Sequence, residues 1–232
     1  MRRPMFTLDS VVPWGRNLSE YRRMFLLTEE DMRKRIAGFG DGPASFNAEA
    51  TKLGCDVTSL DPIYNFSRDQ LMERIEQVRD VVMGQVRSNL ENYEWTTIRN
   101  PDELEAIRMS AMRTFLDDFE KGSEEGRYVP FEFPDRIPFG DDSFDIGLSS
   151  HFLLMYTQLG YDFHIAAIDE MLRVCREVRI FPLVDLNSEH SDMIDDVIGH
   201  YSGPYEVSIE RTDYRFQRGG DRVLMIRRSS LP

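Results

Sequence analysis

The sequence predicts an α/β fold in which a mostly parallel sheet carries helices on both faces, and three observations support that expectation. Apolar runs of strand length alternate with segments of helical period toward both ends of the chain. A glycine bend, Gly38-Phe39-Gly40-Asp41-Gly42, joins the first such run to the first helical segment. After the second run, residues 65–127 show helical periodicity alone, as an insertion into the alternation would. A chain of 232 residues with 41% hydrophobic content is long enough for one large core, and no internal repeat or low-complexity tract divides it. Residues 1–232 are therefore read as one domain, with 65–127 as a helical cover within it.

The elements follow in order. An arm containing Tyr21, Met24, Phe25 and Leu27 leads to Thr28 and Asp31, which mark a short acidic helical turn. Arg35 to Phe39 is the first strand, and Ala44, Phe46, Ala48, Ala50 and Leu53 then form an apolar helix face that Gly54 caps. Val57, Ser59 and Leu60 form a second strand that stops at Asp61-Pro62, since proline cannot donate to a continuing ladder. Within the insertion, Leu71, Ile75, Val78, Val82, Val86 and Leu90 recur at helical steps behind a Ser67/Gln70 capping box. A second helix starts at Asn100-Pro101-Asp102-Glu103, with an N-cap, a proline in the first turn and acids at the positive end. It continues through Leu104, Ile107, Ala111, Phe115 and Phe119, and Gly122 and Gly126 bracket its exit. Strands at Tyr128 to Phe131 and Phe144 to Ser149, a helix from about Phe163 to Cys175 and a strand at Val178 to Leu183 restore the alternation. Tyr205 to Ile209 and Arg222 to Ile226 alternate as an antiparallel pair at the sheet edge would.

Charge narrows the partners. Acidic residues outnumber basic ones 41 to 28, for a formal charge of -13, which opposes a sequence-independent grip on nucleic acid or on an anionic membrane. Arg2 and Arg3 precede Pro4, Asp9 and Pro13, so the first fifteen residues lack the apolar run of a signal peptide, and no other stretch is apolar enough to span a bilayer. Cys55 and Cys175 offer neither a disulfide framework nor a metal set, which makes the cytoplasm the default compartment and metal ligands none.

The strand, glycine bend and helix together place backbone N–H groups and a positive helix end against a ligand, with no side chain in the way. Asp61 falls 23 positions after Gly38, at the tip of the next strand, where a carboxylate can accept both hydroxyls of a ribose. This is a nucleotide site of Rossmann type. The plainer alternatives are an ordinary turn packed by small residues and a solvated strand end.

The segments themselves are similar to a known family. "RIAGFGDGPASFNAEATKLGCDVTSLDP" resembles motif I through the second strand of class I S-adenosylmethionine-dependent methyltransferases. "IPFGDDSFDIGLSSHFL" resembles the segment around their fourth strand, and "IDEMLRVCREVRIFPL" the helix and fifth strand that follow. The resemblance covers about residues 33–62 and 128–183. It implies a Rossmann-like seven-stranded, mostly parallel sheet with an antiparallel last strand, S-adenosyl-L-methionine as cofactor, and a cofactor site made by Gly38, Gly40, Asp41, Gly42, Asp61 with the adjoining Pro62, Glu132, Ser149 and Ser150. Gly40 and Gly42 would line the methionine portion, Asp61 would hold the ribose, and Ser149, Ser150 and His151 would lie near the reacting methyl. The family usually has an acid where this chain has Gly38, and often a third glycine where it has Ala44. The missing acid implies weak binding, compensation by Asp41, or lost catalysis. At the third-strand end, Phe133 falls where the family often has an aspartate, which leaves Glu132 or Asp135 as substitutes.

Methyl transfer needs mainly a sulfonium held in line with a nucleophile, so a base is needed only for some acceptors. His151 is the candidate base and Tyr156 a second candidate, set against a helix-capping histidine and a packing aromatic; Tyr64 and Asp185 are weaker candidates still. In the arm, Arg22 or Arg23 beside Tyr21 would suit the cofactor's carboxylate, the alternative being a solvated helix face. Met72, Met83, Met109 and Met112 would give the cover an adaptable lining, or else pack a helix–helix core or a homodimer contact. The function expected is methyl transfer to a small molecule. A cofactor-binding regulatory module without transfer, or a nicotinamide-dependent oxidoreductase sharing the bend and Asp61, are the alternatives.

Overall fold

The computed structural model describes residues 14–228, so the reading of Arg2, Arg3, Pro4, Asp9 and Pro13 as no signal peptide lies outside the described residues. Among those residues seven strands form one sheet: β1 (Arg35–Phe39), β2 (Asp56–Leu60), β3 (Tyr128–Val129), β4 (Phe144–Ser150), β5 (Cys175–Phe181), β6 (Tyr205–Arg211) and β7 (Arg222–Arg228). Their order is β3-β2-β1-β4-β5-β7-β6. The first five run parallel, and β7 is antiparallel to both β5 and β6. The closing pair thus exists with Tyr205 opposite Arg228, but the last strand slots inside the sheet and β6 takes the edge.

Six helices surround the sheet among the described residues: α1 (Leu18–Met24), α2 (Phe46–Lys52), α3 (Arg68–Ser88), α4 (Pro101–Glu124), α5 (Tyr161–Val174) and α6 (Asp192–Tyr201). The two-residue period of the strands sorts the core between them. Ile36, Ile146, Leu148, Val223 and Met225 face one way, into a cluster with α1, α2 and the apolar stripe of α3. Ala37, Phe39, Val178, Ile180, Leu224 and Ile226 face the other way, onto α5 and α6. The two inserted helices also share a cluster of their own, with Leu71 and Ile75 against Met112, Phe115 and Phe119.

The start signals act as predicted. Ser67 and Gln70 form a reciprocal capping box on α3, and Asn100 accepts from the Glu103 N–H at 2.9 Å ahead of Pro101. Three elements differ. Tyr128 to Phe131 shortens to two residues because Pro130 has no donor for the ladder, and β5 runs from Cys175 to Phe181, stopping before Pro182 rather than at Leu183. The sequence reading missed α6, whose buried Ile194, Val197 and Tyr201 are set among Asp192, Asp195 and Asp196. Met83, Met109 and Met112 are buried in core clusters and Met72 is exposed, so three of the four methionines make helix–helix core, and none lines the cavity. No helix among the described residues is long and apolar enough to cross a membrane.

Candidate active site

The strand order reverses between β1 and β4, and open α/β sheets bind ligands at the carboxyl ends of strands flanking such a point. A cavity of about 420 Å³ lies there, lined by Gly40, Asp41 and Gly42 of the bend, by Asp61 and Pro62 after β2, and by Ser150 and His151 after β4.

The bend and the β2 tip are one hydrogen-bonded unit. Gly40 and Gly42 have φ of 70° and 57°, the left-handed region where glycine is at no disadvantage. The Gly40 N–H donates to the Leu60 carbonyl at 2.9 Å, and the Tyr64 hydroxyl donates to the Gly42 carbonyl at 2.9 Å. Asp61 accepts from the Gly42 N–H at 2.8 Å through one oxygen and from the Ile63 N–H at 2.9 Å through the other. Each oxygen keeps lone-pair capacity for a further donor. Nothing comes within 4 Å of the place where a Gly42 Cβ would stand, whereas the Phe152 ring closes on Gly40 at 3.0 Å.

Gly38, named for the cofactor, does not line the cavity, and Asp41 explains why it is glycine. A Cβ on Gly38 would meet the Asp41 carboxylate at 1.9 Å. Asp41 folds back over that space, accepting from Tyr21 Oη at 2.7 Å and from Ser59 Oγ at 2.6 Å. The acid missing at 38 is thus supplied from three residues further on, in the same volume. Burial raises Asp41 to about 6, against the Ser59 and Tyr21 hydrogen bonds, and raises Asp61 to about 6, against its two backbone donors. Gly38→Asp is expected to lower the melting temperature by several degrees through this overlap. Adding Asp41→Gly should restore most of it; thermal unfolding of the two variants checks the pair, and an undiminished melting temperature in Gly38→Asp alone would refute the overlap.

The N-terminal arm covers the bend with Arg16, while Arg22 and Arg23 take the alternative of an outward helix face. Gly15 lies so close to Pro43 that a Cβ would stand 2.0 Å from its carbonyl oxygen, and the Ser45 N–H donates to the Arg16 carbonyl at 3.0 Å. This brings Arg16, Trp14 and Tyr21 into the cavity wall. Arg22 instead pairs with Glu29, and Arg23 donates to the Asp213 carbonyl, so the α1 helix turns both away. The Arg16 guanidinium donates to the Trp14 carbonyl at 3.0 Å, while its buried Nε has no hydrogen-bond partner. Burial lowers its pKa, and the neighbouring Arg108 lowers it further.

Beyond β4 the strand parity divides the two serines. Ser150 lines the cavity, but Ser149 projects from the opposite face of β4, wholly buried with an unpartnered Oγ, and does not line it. His151 has φ of 54°, a conformation held by its N–H donating to the Phe181 carbonyl at 2.7 Å. Its Nδ1 is 2.9 Å from Ser150 Oγ. Burial, then the Arg16 and Arg108 charges, push its pKa well below the usual histidine value, so the ring is neutral at neutral pH. His151, Trp14 and Arg16 also wall a second chamber of about 120 Å³, and Tyr156 lines that chamber rather than the first. Glu132 stands in the first cavity, Asp135 does not, and Asp185 accepts from the Asn187 and Glu189 N–H groups as a loop cap. The sequence reading also missed the aromatic wall of Phe131, Phe133 and Phe152, which is spread over two segments without periodicity. No cluster of three or more histidine, cysteine or acidic residues able to hold a metal ion occurs among the described residues.

The sheet order, the antiparallel last strand and the bend at the reversal point define the fold of the class I S-adenosylmethionine-dependent methyltransferases. The chain belongs to the same family as the uncharacterized protein MJ0045 of Methanocaldococcus jannaschii, with 37% identity over 223 residues, 95% of this chain and 98% of that one. Among solved structures, the PH0226 protein of Pyrococcus horikoshii OT3 superposes with a TM-score of 0.50 at 10% identity, over 91% of this chain and 90% of that one. The mitomycin 7-O-methyltransferase MmcR gives 0.49 at 15% identity, over 91% of this chain and 54% of that one. No family model matches the chain.

Proposed function

We propose that the protein is an S-adenosylmethionine-dependent methyltransferase that acts on a small molecule. One observation carries the reading: Asp61, fixed by the bend's own amide, faces a cavity whose other charges complement this cofactor. Asp41 and Asp61 line the cavity with two carboxylates, suited to an ammonium group and a ribose diol, and Arg16 lines it with a guanidinium, suited to a carboxylate. A pyrophosphate-bearing dinucleotide would set two negative charges against Asp41 inside the bend, which disfavours the oxidoreductase. Asp41 in the volume above Gly38 disfavours the regulatory module, whose motivation was the absent acid.

The cofactor supplies, when bound, a methyl group made electrophilic by its sulfonium. Asp61 would hold the ribose, Asp41 the ammonium and Arg16 the carboxylate, while Phe131, Phe133 and Phe152 give the cavity an apolar wall that would exclude water. His151, kept neutral and with Nδ1–H donating to Ser150 Oγ, whose own proton is directed at Met24 Sδ, can accept a proton at Nε2.

Calorimetry with adenosylmethionine and adenosylhomocysteine tests this, and no binding of either at millimolar concentration would remove it. The pH dependence has a defined sign. A shift from 3.8 to about 6 means that each ionised carboxylate costs the free protein roughly 3 kcal/mol. The stability they contribute is present at low pH and lost as pH rises from about 4 through 6. Cofactor affinity runs oppositely, because the ligand binds the ionised pair. It should fall roughly tenfold or more between pH 6 and 5, and a flat profile would show that the carboxylates do not meet the ligand.

A further inference from the structure

We infer that the second chamber receives the methyl acceptor, and that this acceptor is an uncharged molecule presenting a single six-membered ring with a hydroxyl group. The inference rests on the methyltransferase reading and adds the substrate class to it.

Position comes first. Trp14, Arg16 and His151 wall both spaces, so a ligand in the smaller one meets the cofactor cavity at His151. Size comes second. An apolar cavity of roughly 150 Å³ accepts benzene, so about 120 Å³ beside an open neighbour matches one ring with its substituent toward the opening.

Charge decides the class. The far walls are Val82 and Val86 from α3, Leu104 from α4, and Phe216. No carboxylate lines the chamber among the described residues, so a cationic acceptor would be buried without a counter-charge. Arg16 is its one cation among the described residues, and in the reading above that group would be taken by the cofactor's carboxylate. An anionic acceptor would then also lack a partner, at several kcal/mol for a desolvated ion.

The hydroxyl follows from His151. Its Nδ1 is engaged by Ser150, and Nε2 has no protein partner among the described residues. Because the Ser150 hydroxyl donates to Met24 Sδ, Nδ1 carries the ring proton toward Ser150 Oγ, and the unprotonated Nε2 at the junction accepts from an O–H donor. As the acceptor oxygen takes the methyl group, the carbon–sulfur pair stays on sulfur as the thioether and the hydroxyl proton passes to Nε2.

The test uses the full chain saturated with adenosylhomocysteine, titrated with phenol, benzoate and benzylammonium, and followed by calorimetry and tryptophan fluorescence. Phenol is expected to saturate in the millimolar range, at least tenfold tighter than either charged ring. Val86→Phe and Leu186→Trp, the latter at a chamber-lining residue in the segment after β5, should each abolish phenol binding while adenosylhomocysteine affinity stays within twofold of the parent, which also shows that the variants fold. If adenosylhomocysteine does not bind, the methyltransferase reading fails and this inference with it. If it binds but phenol does not saturate, if a charged ring is preferred, or if filling the chamber leaves phenol binding intact, this inference alone is overturned.

Discussion

Asp61→Ala is expected to weaken adenosylhomocysteine binding by roughly 10²–10³-fold, the loss of two hydrogen bonds to an ionised carboxylate at about 1.5–3 kcal/mol each, less what water recovers. The substitution also removes the acceptor for the Gly42 and Ile63 N–H groups, so the bend loses the tie that shapes it. Asp61→Asn is not gentler, because an amide nitrogen would oppose one of those two N–H donors. Calorimetry on both variants measures the effect. Affinity within threefold of the parent would reduce Asp61 to a cap on its own loop and leave the ribose unassigned.

Arg108→Met is expected to destabilise the fold by roughly 3–5 kcal/mol, a fall of about 10 °C or more in melting temperature for a chain of this length. Arg108 is wholly buried on α4 with Nη1 at 2.6 Å from both oxygens of Glu20, and its Nη2 donates to the Tyr214 hydroxyl at 3.0 Å. Tyr214 in turn donates to Glu20 at 2.9 Å. Glu20 also accepts from the Asn17 N–H to close the α1 capping box, so one carboxylate ties the arm to the inserted helices. Truncating the arginine leaves that carboxylate buried and unpaired, and adding Glu20→Gln should return part of the loss. Because the same arm carries Arg16 and Tyr21, cofactor affinity should fall along with stability. A melting temperature within 2 °C of the parent would show that the cluster carries no net stabilisation.

The legible part of the site was its local part. Gly40, Gly42 and Asp61 are tied to one another by bonds between adjacent segments, which their order along the chain already foreshadows. Arg16 was illegible because its value lies in what surrounds it: Arg108 from α4 and His151 from beyond β4, neither near it in sequence. Arg22 and Arg23 drew attention as a charged pair, but the phase of α1 turns them outward. Ser149 and Ser150 differ only by strand parity, and the register of β4 against β1 and β5 decides which one faces the ligand.

The alternation of strands and helices, the caps of α3 and α4, and the glycine bend are encoded locally, because periodicity, capping and positive φ are properties of a few neighbouring residues. Long-range packing is what sets Asp41 in the space above Gly38, brings Arg16 to the cavity on the arm, and stands His151 between two chambers. Those outcomes depend on which surfaces remain after distant helices have packed, and burial also sets the charge states there, raising Asp41 and Asp61 and keeping His151 neutral.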